Sequence, residues 1–477
     1  MWWARDKLRQ VYAALDAAST YAQWLAAAEA HDALTGADAW RADDASPHYD
    51  AGALRASQLR LAALRAAGDG PALAAELSAD LYRHLGDLSS PELYGTAMAG
   101  TKHLIGQYLD EVEASMRWLA TADLPGIPRG EVVRRFSEAW RVFGRSALLL
   151  SGGATLGFYH LGVVRALFEL GLLPHILSGA STGAMIAAGV CSRTDAELSA
   201  LFGDLGRLRL DGLRMAGLPG ILRQRALLEP EQLYAVLRHN VGELTFAEAY
   251  ARSGRELAIS VSPTRAHQKP RLLAHLTAPE ALVARAALAS SALPGLFPPV
   301  QLTARSKGEE VPYIPAERWV DGSIYGDLPM RRLSRLFNAN HFVVSQTNPH
   351  VLPFVRHHGR RGLEPALFGL VSTTIRGQGQ WATDVGRRVV PESRGGRLAH
   401  QLHALFSQDY KGDIEIHPQF RWSLYRRVVA NPTPGELEAF VREGARSVWP
   451  RVALIRDQTR IGRVFRDIVQ GAPELRR

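Results

Sequence analysis

Along the first 140 residues apolar positions recur every three or four places, most clearly at Leu104, Ile105, Tyr108, Leu109, Val112, Met116 and Leu119. That period marks one face of an α-helix and predicts a stripe turned toward a core. Alanine and leucine abound here and β-branched residues are scarce, which favours helix throughout. Pro125, Gly126 and Pro128 interrupt the pattern before a shorter helix through Phe136 and Trp140 to Gly144. Beyond it the texture changes to short apolar runs followed by glycine turns and helices. Ala147–Leu150, His175–Ser178, Leu257–Ser262 and His341–Ser345 read as buried strands. Their alternation with helices predicts a mainly parallel sheet between helical layers. The expected organisation is a helical domain over 1–140, an α/β domain over 145–338, and a helical, arginine-rich extension over 339–477 that completes the fold. Ligands in such sheets bind at the carboxyl ends of the strands.

Composition narrows the class. With 477 residues, 47% of them apolar, the chain can bury a large core and exceeds one ordinary domain. Cys191 is the sole cysteine. It excludes an internal disulfide and a cysteine-based metal site, and reads as a buried structural thiol. The N-terminus carries charges throughout and lacks the apolar core of a secretory signal. No stretch of spanning length is free of charges or turn-formers, so an intracellular, cytoplasmic protein with peripheral membrane association is expected. The net charge of +9 rests on arginine, since only Lys7, Lys102, Lys269, Lys307 and Lys411 are lysines. No nucleic-acid module accompanies that charge, so no nucleic-acid partner is expected.

The chemistry is concentrated in three turns. Gly179-Ala180-Ser181-Thr182-Gly183 follows a strand and opens a small-residue helix. This strand, tight turn and helix context lets a G-x-S-x-G motif expose its serine as a nucleophile, with Gly179 and Gly183 leaving room for the turn. Ser151-Gly152-Gly153-Ala154-Thr155-Leu156-Gly157 follows the first strand. It lacks the Gly-Lys-Ser/Thr ending of a phosphate loop and the third glycine of a dinucleotide loop. Beside a serine elbow it becomes a candidate oxyanion hole formed by the backbone of Gly152, Gly153 and Ala154. In Trp319-Val320-Asp321-Gly322-Ser323 an apolar piece ends in an Asp-Gly turn. Asp-Gly is itself a common turn signal, but a serine nucleophile needs a proton acceptor, and Asp321 with Gly322 offers one. His160 lies inside a helix and reads as a hydrogen-bonded core residue, while His175 lies at the far end of the elbow strand. A triad through a loop histidine such as His350 remains open.

With these elements in chain order, the sequence resembles patatin-like phospholipases, in particular the branch of fungal and plant triacylglycerol lipases acting on stored oil. The resemblance lies in residues 145–157, Gly162-Val163-Val164, residues 289–299, Trp319–Ser323, Asp327-Leu328-Pro329-Met330 and Ser345–His350. Leu85-Gly86, Leu93-Tyr94, Gly100-Thr101-Lys102 and Tyr108 are similar to the N-terminal domain that accompanies this branch. The resemblance implies a three-layer α/β/α sandwich preceded by a helical domain. It also implies a dyad without histidine or metal: Ser181 as nucleophile, Asp321 as base, and the Gly152 to Ala154 backbone for the oxyanion. No cofactor is expected. Many family members carry a third glycine and a basic residue where Ala154 and Leu156 stand, which tilts the expectation toward neutral acylglycerols. Phospholipase A or lysophospholipase action, or a non-catalytic lipid-binding scaffold, are the alternatives. None of the sixteen histidines has an aspartate five residues on, so the acyl-transfer motif of some such lipases is missing.

A lipid substrate requires contact with a membrane or lipid-droplet surface. Leu363, Leu367, Phe368, Leu370, Val371 and Ile375, flanked by Arg356, Arg360, Arg361 and Arg376, form one candidate series. Leu213–Leu222, with Met215 and Pro219, is a candidate acyl entrance. Oligomeric state is not legible.

Overall fold

The apolar stripe at 104–119 lies on the helix His103–Thr121, and every one of its seven members is buried. In the computed structural model this stripe packs against Leu61, Leu73, Leu93, Phe136 and Phe465. The structure describes residues 2–82, 88, 90–125, 127–265, 268–349, 351, 411–419 and 428–471. Leu85-Gly86, His350 and the apolar series 363–375 with its flanking arginines lie outside the described residues. Contacts divide the chain into Met1–Ser146 with Val448–Arg477, and Ala147–Ser447. The stretch 339–477, read above as one extension, is thus shared: its last part, including the helix Val452–Gly471, groups with the N-terminal helices.

Two buried polar groups tie loops inside the first unit. The Asp32 carboxylate accepts from the Met98 and Ala99 N–H groups at 2.9 and 2.8 Å. The Lys102 ammonium donates to the carbonyls of Trp40, Asp43 and Ala45 at 2.8, 2.7 and 3.1 Å. Such pairing is what makes burial of a charge tolerable.

The second unit is built on strands β1 (Arg145–Leu150), β2 (Ile176–Gly179), β3 (Glu256–Pro263), β4 (Arg271–Leu273), β5 (Thr303–Ser306), β6 (Glu309–Pro312), β7 (Trp319–Asp321), β8 (Ala339–Ser345) and β9 (Ile414–Ile416). The main sheet runs β4-β3-β2-β1-β8-β9, with β7 also on β3, while β5 and β6 form a separate hairpin. β1 with β2, β2 with β3 and β8 with β9 are parallel, while β4 and β7 run antiparallel to β3. β2 and β3 are buried along their full length, as strands covered on both faces must be. β7, β9 and the hairpin are short, and no alternating pattern announced them. Among the described residues no helix is long and apolar enough to cross a membrane.

Two glycine positions fix how the helices cover this sheet. The helix Tyr159–Glu169 crosses the helix Pro434–Val448 through Gly162 and Gly444. A Cβ on Gly162 would strike the Val441 carbonyl, and one on Gly444 the Tyr159 carbonyl. The preceding loop is fastened to the same late segment: Thr155 N–H donates to the Val428 carbonyl at 3.0 Å and Thr155 Oγ1 to the Ala430 carbonyl at 2.6 Å.

Candidate active site

β1 and β2 are parallel neighbours whose last paired residues are Leu150 and Gly179. The anion loop and the serine elbow therefore leave the sheet side by side. Ser181 stands at φ 53°, ψ −127° immediately before the helix Thr182–Cys191, a backbone geometry disfavoured for a residue with a side chain. Close approach explains the flanking glycines. A Cβ on Gly179 would fall on the Gly183 carbonyl, and one on Gly183 on the Leu150 carbonyl. Gly183→Ala is therefore expected to lower stability by about 3 kcal/mol. Gly435→Ala, at an exposed position in the first turn of the helix Pro434–Val448 with open space around its Cβ, should shift stability by no more than about 1 kcal/mol. Urea unfolding of both variants measures the difference.

Asp321 ends β7, held to β3 in the register Val261 to Asp321. Its backbone N–H donates to the Ala292 carbonyl at 3.0 Å, and the Gly322 N–H donates to the Ser290 carbonyl at 3.1 Å. Gly322 is required because its Cβ would collide with the Ser260 carbonyl. The Asp321 side chain is 2% exposed. It accepts from the Ser323 N–H at 2.8 Å and the Ser323 hydroxyl at 2.7 Å, and the Ser181 side chain lies near enough to favour its charged form. Burial pushes its carboxyl up to about 6, and the Ser323 hydrogen bonds and nearby Ser181 hold it from rising further.

The anion loop is braced from beneath. The Gly152 N–H donates to Asp327 Oδ1 at 2.8 Å, and Asn348 Nδ2 donates to Asp327 Oδ2 at 2.5 Å. Gly152, counted among three oxyanion donors in the sequence reading, thus has its N–H already engaged. The N–H groups of Gly153 and Ala154 have no acceptor among the described residues. Both residues line the cavity with Ser181, whereas Gly152 does not. A Cβ on Gly152 would stand 3.4 Å from that of Ser181, a measure of how tightly loop and elbow are packed. Ala154 adopts φ 47°, a left-handed conformation costing a non-glycine residue about 1 kcal/mol. Thr182 Oγ1 donates to the Ala154 carbonyl at 2.8 Å and locks that turn. Asp327 is 1% exposed; burial and the neighbouring Asp321 push its carboxyl up to about 7.

His160 is fully buried within 2.7 Å of Ser345 Oγ at Nδ1, and its Nε2 lies 3.0 Å from both the Ser151 carbonyl and Thr347 Oγ1. Burial lowers it to about 4, so it is neutral at physiological pH and braces the loop as a core residue. His175 precedes β2, with its carbonyl accepting from the Glu256 N–H, at the opposite end of the strand from Ser181. Cys191 is buried and free, its thiol pushed up to about 12 by desolvation.

The cavity before Ser181 has a volume of about 400 Å³. Its walls are chiefly apolar, including Phe158, Leu161, Ile186, Leu213, Leu233 and Phe297, with Ser181, Asp321, Ser323, Asn348, Arg193 and Arg209 among the polar members. Leu213 fits the entrance stretch read from the sequence, whereas Met215, Leu218 and Leu222 of that stretch point to solvent. Asp327, Asn348, Thr182 and Ser290 were not singled out by spacing. Asp327 and Asn348 fall within segments that carried the family resemblance, and that was their one signal.

A family described as patatin-like phospholipase matches residues 148–333, and a domain of unknown function (DUF3336) matches residues 1–139. Triacylglycerol lipase ptl3 of Schizosaccharomyces pombe is 31% identical over 464 residues, 94% of each chain. Triacylglycerol lipase ptl2 of the same yeast is 31% identical over 475 residues, 94% of this chain and 74% of ptl2. Triacylglycerol lipase SDP1L of Arabidopsis thaliana is 36% identical over 398 residues, covering 80% of this chain and 49% of SDP1L. The chain therefore spans about half the length of that plant relative. Identity above 30% along almost the whole of ptl3, together with the matching domain, makes this chain a member of the patatin-like phospholipase family.

Proposed function

We propose that this protein is a lipid acyl hydrolase that cleaves carboxylic esters of acylglycerols through an acyl-serine intermediate. The observation that carries the reading is a serine on a strained elbow that lines an apolar cavity together with a buried carboxylate whose ionisation it favours. Asp321 takes the Ser181 proton as Oγ attacks the ester carbonyl carbon. The carbonyl oxygen becomes an anion held by the N–H groups of Gly153 and Ala154, while Gly152 fixes the loop through Asp327. Collapse expels the alcohol, which leaves with the proton from Asp321. Water then attacks the acyl-serine, Asp321 taking its proton and returning it to Ser181 as the fatty acid departs. The apolar walls fit an acyl chain.

Neutral glycerides are favoured over phospholipids by Leu156, which stands where the family resemblance implies a basic residue and is 3% exposed. It offers no charge to a phosphate. The substrate brings the protein into peripheral contact with a lipid surface. The test pairs a fluorophosphonate probe with a panel of tri-, di- and monoacylglycerol and phosphatidylcholine. The wild-type protein is expected to label and to turn over acylglycerols faster than phospholipid. Faster phospholipid cleavage would make it a phospholipase, and failure to label would leave a lipid-binding scaffold.

A further inference from the structure

The stretch between the elbow helix and β3 carries an apolar surface that the site itself does not use. Leu218 and Leu222 are 77% and 79% exposed, and Met215 is 63% exposed. Leu218 and Leu222 are four residues apart on the short helix Leu218–Gln224, and so share one face. Monomeric proteins seldom leave such a group in water without a use for it.

This surface is continuous with the cavity. Met215 bridges Leu228, the Ala216 N–H donates to the Leu227 carbonyl at 2.8 Å, and the Leu227 and Leu228 N–H groups donate to Gly295 and Leu296 at 3.2 and 2.8 Å. Along that ladder side chains alternate: Leu227 is 42% exposed, while Leu228 is buried and lines the cavity. Leu293 lines the cavity and is also 41% exposed, which marks the mouth. The outward leucines and methionine thus stand beside the opening through which a substrate must enter.

Charge identifies the kind of surface that fits. Residues 204–229 hold five arginines (207, 209, 214, 223 and 225) against Asp204, Asp211 and Glu229. Arg207, Arg209 and Arg214 are paired with those three carboxylates. Arg223 and Arg225 are exposed and make no ion pair among the described residues. Two uncompensated cations next to exposed leucines suit a surface that is apolar within and anionic at its headgroups.

We infer that Met215, Leu218 and Leu222, with Arg223 and Arg225, form the docking surface that seats the cavity mouth on an anionic phospholipid layer. This deepens the hydrolase reading and rests on it. Leu218 and Leu222 insert among the acyl chains, the arginines engage headgroups, and the acylglycerol enters past Leu293 without crossing water.

The test uses co-sedimentation with phosphatidylcholine vesicles, with and without phosphatidylserine, alongside hydrolysis of the soluble ester p-nitrophenyl butyrate. L218S/L222S should bind anionic vesicles about tenfold or more weakly while keeping soluble-ester turnover, since neither residue lines the cavity. R223S/R225S should erase the preference for phosphatidylserine. Unchanged vesicle binding by folded L218S/L222S protein overturns the proposal, as does equal binding of wild type to both vesicle types. A dimer that L218S/L222S converts to monomer, with vesicle binding intact, also overturns it by making a second copy the occupant. Should the double variant fail to fold, Leu222→Gln alone carries the same comparison. Wild-type protein that docks but hydrolyses no soluble ester would sink the hydrolase reading and leave the docking surface standing.

Discussion

Ser181→Ala should abolish fluorophosphonate labelling and lower ester turnover by about 10⁴-fold or more, the scale on which loss of a nucleophile acts. Alanine keeps the Cβ that already sits at φ 53°, so the elbow should keep its shape and the variant should unfold at the same urea concentration as the parent. Labelling that survives the substitution would move the nucleophile elsewhere and end the proposed assignment. Cavity contacts remain, so the variant should still bind a long-chain ester, which equilibrium binding can measure.

Asp321→Asn should cost about 10³-fold in kcat/KM, because an amide cannot take the serine proton. The wild-type rate should rise with pH through about 6, where the Asp321 carboxyl ionises. That limb should be broadened by Asp327, which titrates at about 7 beside it, and should vanish from the residual activity of the variant. Stability moves the other way. Asp321 holds its proton more tightly folded than at its ordinary 3.8. Its contribution is therefore full below about 4 and is lost as pH rises through about 6. The asparagine variant should accordingly outlast the parent against urea at pH 8 by about 2 kcal/mol, with the gap closing toward pH 4. Full activity in the variant would transfer the base role to another group, and a histidine would then be sought.

Where the sequence carried a period or a forced geometry, it was readable. The stripe from Leu104 to Leu119 named a core face because a helix repeats every 3.6 residues, and all seven members are buried. The four long apolar runs became β1, β2, β3 and β8, since strands covered on both faces need uninterrupted apolar stretches. β7 and β9 contain three residues each, too few to show any alternation. Gly183 was legible as a turn glycine, but that its missing side chain makes room for the Leu150 carbonyl is a fact of packing. The engagement of Gly152 with Asp327, 175 residues away, is likewise tertiary: no local rule joins the two. The grouping of the helix Val452–Gly471 with the N-terminal helices depends on where apolar faces meet, and helical periodicity says only that such a face exists.

The brace between the anion loop and the late segment sets an order of events during synthesis. Thr155 is fastened to Ala430, 275 residues later, and the helix that follows the loop lies against Gly444. A ribosome that has just delivered Asp321 has delivered both members of the proposed dyad, but neither of these supports. The loop of Gly153 and Ala154 is then held by Thr182 but not yet by the late segment, and closing so long a contour comes late in folding. A chain cut short before residue 430 should therefore carry serine and aspartate without a finished anion loop.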